Sequence, residues 1–113
     1  MDRTTKNTSK RANRNAETTA FLESLNGGRL TFGQLLHALR TSEEESAVVF
    51  AERLGISRQH LHQLEHGEKR VSPERAVRFA QLLGQSQAYF LQVALQDLAD
   101  ESGLSARVQV KVA

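Results

Sequence analysis

Three residues, Gly55, Ile56 and Ser57, are all that separate two short segments whose apolar residues recur at helical spacing. In AVVFAERL the apolar face is Val48, Phe50, Ala51 and Leu54, and in RQHLHQLEH it is Leu61 and Leu64. Ser46 and Ser57 stand where a hydroxyl caps the helix that follows, and Gly55 and Gly67 stand where a left-handed residue ends one. A connection this short admits only a tight turn. The two helices must therefore meet at a steep angle and bury their facing sides in the crossing.

The flanking sequence repeats the same punctuation. Thr31 precedes FGQLLHALR, with Phe32, Leu35, Leu36 and Leu39 on one stripe. Ser72-Pro73 places a cap before a proline at the first helical position and opens PERAVRFAQLL, which stops at Gly84. Ser86 then opens QAYFLQVALQDLADES, ending near Gly103. These segments predict an all-α, five-helix domain. Upstream, Phe21, Leu22 and Leu25 allow one or two further helical turns before Asn26-Gly27-Gly28. At 113 residues the chain is about the size of one domain.

The two ends read differently from the centre. Residues 1–19 contain no large apolar side chain after Met1 and cannot offset the entropy of ordering, so they are expected to be a disordered tail. Arg3, Lys6, Lys10, Arg11 and Arg14 face only Asp2 and Glu17 there, which makes a cationic arm. That arm fits a solubilising tail, a contact to DNA backbone or a partner-binding segment. Residues 20–103 form the expected helical domain. In residues 104–113, Val108, Val110 and Val112 alternate with Arg107, Gln109 and Lys111, the pattern of a short C-terminal β-strand with one buried face. A lone strand in a helical chain needs a partner, so either a second copy pairs with it or the alternation belongs to an unstructured tail.

Composition removes several chemistries. The absence of cysteine excludes disulfides, Cys-based zinc fingers and thiol nucleophiles. Three histidines, His60, His62 and His66, fall within seven residues, but no acid at motif spacing completes a zinc set, so no metal or cofactor is expected. Ser57 is accounted for as a cap, and no orienting acid or oxyanion loop accompanies it, so no catalytic residue is expected and the chain does not read as an enzyme. The longest apolar run is AVVFA at 47–51, too short for a membrane span or a secretory signal. A cytoplasmic, membrane-free protein is expected. Lys and Arg number 15 against 13 Asp and Glu, so a nucleic-acid partner must be argued from where charges lie, not from the total.

Residues 32–84 resemble the XRE family of regulators, whose fold is that of the lambdoid phage repressors and Cro. The resemblance rests on Ser46, Phe50-Ala51, Leu54-Gly55-Ile56-Ser57 and Leu61 through Gly67, taken together at this spacing. It implies a helix-turn-helix that binds double-stranded DNA as a homodimer on a palindromic operator, with the second motif helix in the major groove. Ser57, Arg58, Gln59, His60 and Gln63 are available on the exposed N-terminal half of that helix. Arg suits guanine O6 and N7, and Gln suits adenine N6 and N7. By resemblance Arg58, Gln59 and Gln63 fall on positions that read bases. His60 is either a base or phosphate contact or a solvated surface residue. Ser57, with Lys69 and Arg70 in the loop after Gly67, is expected at phosphates.

Other expectations come with the resemblance. Ala47 occupies a position where relatives often carry a phosphate-clamping Gln. Arg40 and Glu65 match a structural salt bridge of the phage repressors. Glu43-Glu44-Glu45 should avoid the duplex, because an acidic run repels phosphate. Tyr89, Phe90, Val93 and Leu98 spread over more than one helix face and, with Val108, Val110 and Val112, are the expected dimer interface. A second reading is an antitoxin of the HigA kind, which neutralises a toxin protein by binding it and represses the operon they share.

Overall fold

The computed structural model describes residues 30–111, which contain α1 (Phe32–Ser42), α2 (Ala47–Leu54), α3 (Arg58–Glu65), α4 (Pro73–Leu83) and α5 (Gln87–Glu101). The arm at 1–19, the segment around Phe21 and Val112 lie outside the described residues.

Every one of these helices begins at a hydroxyl. Thr31 accepts from the Gln34 amide while Gln34 returns its side-chain oxygen to the Thr31 amide, a reciprocal capping box. Ser46, Ser57, Ser72 and Ser86 accept from Val49, His60, Arg75 and Tyr89 respectively. Gly55 closes α2 at φ 72°, a conformation that strains any residue with a Cβ, and the chain can then turn straight into Ser57.

The core is one cluster. Phe50, Phe79, Phe90, Leu35, Leu36, Leu61 and Leu64 are its largest fully buried side chains. Phe32 meets the Phe90 ring edge-on at 5.4 Å between centroids, joining α1 to α5. α4 packs extensively on α5, α2 packs on α3 and α4, and α1 touches both α3 and α5. A long-range cap reinforces the last contact: the Asp97 carboxylate on α5 accepts the Phe32 amide at 2.9 Å.

α1 approaches the end of α3 so closely that a Cβ at Gly33 would collide with the Leu64 carbonyl oxygen and lie 3.1 Å from that of Glu65. Gly33 is thus required by the crossing of two helices, although it lies inside a helix where glycine is locally unfavourable.

The expected C-terminal β-strand is not present. Residues 104–111 carry no strand, and no strand occurs among the described residues. The segment is instead held along α5 by side chains. Gln96 accepts the Val108 amide through Oε1 at 2.7 Å and donates through Nε2 to the Ala106 carbonyl at 2.8 Å, and Gln92 Oε1 accepts the Val110 amide at 3.1 Å. These glutamines take backbone groups that a ladder would have used. The alternation of Val108 and Val110 reports half-burial beside a helix, not a sheet face.

The residues expected at a dimer interface differ in exposure. Phe90 and Val93 are 1% and 5% exposed, packed within the chain's own core. Tyr89 packs half-buried against that core, whereas Leu98 is exposed. α5 is apolar on two flanks because the core covers one and the chain's own C-terminal segment lies along the other.

Candidate nucleic-acid interface

Burial of Leu61 and Leu64 sets the rotation of α3 about its axis. With successive residues 100° apart, the line opposite those leucines runs through Gln59, His62, Gln63 and His66. Arg58 flanks this line and is exposed, as are Gln59, His62 and His66, while Gln63 is partly covered. One turn of exposed Arg and Gln therefore stands at the start of a short helix whose other side is sealed into the core.

His60 occupies the adjoining flank. It is partly buried, and burial first, then the charges of Arg75 and Lys69, holds its pKa below the ordinary imidazole value. It belongs with the basic residues of the following loop and of α4. The outward histidines are His62 and His66, whose rings stack at 4.0 Å between centroids. The spacing of Leu61 and Leu64 already contained this distinction, because the position opposite a buried residue follows from the helical period alone.

Ser57 caps α3 from an exposed position, and the loop after Gly67 presents Lys69 and Arg70, both exposed. The Arg70 guanidinium pairs with Glu101 Oε1 at 2.8 Å, so any phosphate contact competes with an acid on α5.

Between α1 and the end of α3, Arg40 grips Glu65 at two points: Nε to Oε2 at 2.8 Å and Nη2 to Oε1 at 3.0 Å. The Glu65 side chain is only 5% exposed and Arg40 18%. Burial pushes the Glu65 pKa up, but hydrogen bonds and charge attraction from Arg40 and His37 outweigh it, and the carboxyl lies below its usual range. Arg40 is raised chiefly by the same hydrogen bond. The pair locks α1 to α3 just behind the exposed line.

The acidic run is also occupied. Glu43 and Glu45 both accept from Arg53 Nη1 at 2.7 Å, which returns the run to the last turn of α2. Arg53 thus offsets part of the run's charge, while Glu44 stays exposed.

Exposed Arg and Gln on a capped helix set at an angle by a three-residue turn is an arrangement for reaching into a groove. A family model described as a helix-turn-helix domain matches residues 31–89. The chain belongs to that family. The helix-turn-helix domain covers all of α1 to α4 and the start of α5, the family occurs in XRE-like regulators, and its members are DNA-binding. No curated protein and no solved structure matches the chain. No helix among the described residues is long and apolar enough to cross a membrane.

Proposed function

We propose that the protein is a sequence-specific transcriptional repressor, a binding protein without catalytic activity, that acts as a dimer on a palindromic operator. The observation that carries this reading is the outer face of α3, where exposed Arg58 and Gln59 and partly covered Gln63 have side chains suited to bidentate base contacts. Ser57 and Lys69 border it as phosphate contacts, with Arg70 joining once it leaves Glu101.

A single eight-residue helix reaches few base pairs, which favours two copies on adjacent half-sites about one helical turn apart. The exposed apolar residues available for that contact at the end of α5 and just beyond it are Leu98 and Leu104.

The test is Arg58→Ala and Gln59→Ala against a duplex selected from a random-sequence library. Each is expected to weaken specific binding by roughly 1–3 kcal/mol and to relax preference at the base it contacts. Unchanged affinity in both would remove α3 as the reading helix.

A further inference from the structure

The cleft beside the reading helix contains more histidine than base readout requires. It is an open depression of about 570 Å³ between α1, the start of α2 and α3, with His37, Arg40, Arg58, His62, Glu65 and His66 on its walls. Arg40 and Glu65 neutralise each other, and His37 contacts the same carboxylate through Nδ1 at 3.3 Å. Ala47 is the part of α2 that lines the cleft, and it brings no charge. The turn after α3 adds Glu68 and Lys69, both exposed. With Arg58 committed to base contacts, His62 and His66 are left to meet an incoming anion.

The chemistry of His66 is set by one hydrogen bond. Its Nδ1 lies 2.8 Å from the His62 carbonyl oxygen, which can only accept, so Nδ1 carries the proton. In the neutral ring Nε2 then bears a lone pair and repels a phosphate oxygen. A proton on Nε2 converts that same nitrogen into a charged donor. The stacked His62 ring offers its π face to one such cation and opposes a second charge at 4.0 Å.

We propose that this cleft holds a DNA backbone phosphate and that His66 takes up a proton when it does, so that operator binding tightens as pH falls. The proposal rests on the DNA-binding reading above. Protonation of His66 adds a donor where the neutral ring has none.

The experiment measures binding of the full-length chain to the selected duplex between pH 6 and pH 8 at constant ionic strength, for wild type, His66→Asn and His62→Asn. Coupling to at most one proton tightens binding by up to about 10-fold for each pH unit of the fall. His66→Asn keeps an N–H donor but cannot titrate, so it should bind at pH 8 at least as well as wild type and lose the pH slope. His62→Asn should keep a slope. A wild-type affinity independent of pH, or a slope that survives in His66→Asn, overturns the proton-coupled contact while leaving DNA binding intact. Recovery of no bound duplex at either pH overturns both readings.

Discussion

Replacing Arg40 with alanine isolates the energetic cost of the buried carboxylate at the end of α3. The change removes both strong partners of Glu65 and leaves only His37, 57% exposed, at 3.3 Å. Stranding one member of a buried pair costs about 3–5 kcal/mol, and the partial exposure of Arg40 places this case near 3 kcal/mol. A domain of this size is stable by roughly 4–12 kcal/mol, so the loss is a large share of the total. With a urea m-value of about 1–1.5 kcal/mol/M, the midpoint of a far-UV circular dichroism melt at pH 7 should fall by about 2–3 M. Glu65→Gln should cost less, because it removes the charge that has to be stabilised.

The pH dependence has a defined sign. The folded-state pKa of Glu65 is depressed, so in wild type its contribution is present above the ordinary carboxylate value and disappears as pH falls through the folded value. In Arg40→Ala, burial without a partner favours the protonated acid, so the deficit relative to wild type opens as pH rises from about 4. A midpoint shift below about 0.5 M at unchanged m, or a deficit that does not narrow in acid, would refute the claim that this ion pair holds α1 to α3.

Gly33→Ala should destabilise by about 1–3 kcal/mol even though alanine is the better helix former, since its Cβ collides with backbone at the α1–α3 crossing; a neutral or stabilising urea melt would contradict that crossing. Asp97 is raised by burial first and then by Glu101 and Asp100, against the lowering effect of the Phe32 amide. Its stability contribution is therefore complete below the unfolded value and lost as pH rises through the folded one. Asp97→Asn, which retains an acceptor for Phe32 without the charge, should gain on wild type between pH 4 and pH 7, whereas Asp97→Ala should lose about 1 kcal/mol with the cap; parallel pH profiles for wild type and Asp97→Asn would refute this.

Much of the site was legible because it is built locally. The three-residue turn, the serine caps and the positions of Leu61 and Leu64 mark the second motif helix and place Gln59 on its outer face. Counting the period from Leu61 and Leu64 also places His62 and His66 outward, with His60 on the flank beside Lys69 and Arg75. The C-terminal segment differs from its expected form. Alternation of valines describes a backbone with one covered side, and it is the same whether the cover is a strand or the glutamines of a helix.

The division follows from the range of the forces involved. Helix starts and stops depend on groups three or four residues apart, so Ser46, Gly55, Ser57 and Ser72-Pro73 determine them within the sequence itself. Everything that depends on how helices cross was decided by the tertiary structure. Gly33 is needed where α1 meets the end of α3, Phe90 and Val93 are consumed by the chain's own core, Asp97 caps a helix sixty-five residues away, and Gln96 covers the segment that resembled a strand. Close approach and the capture of distant backbone groups have no local periodicity, because the partners become neighbours only when the helices pack.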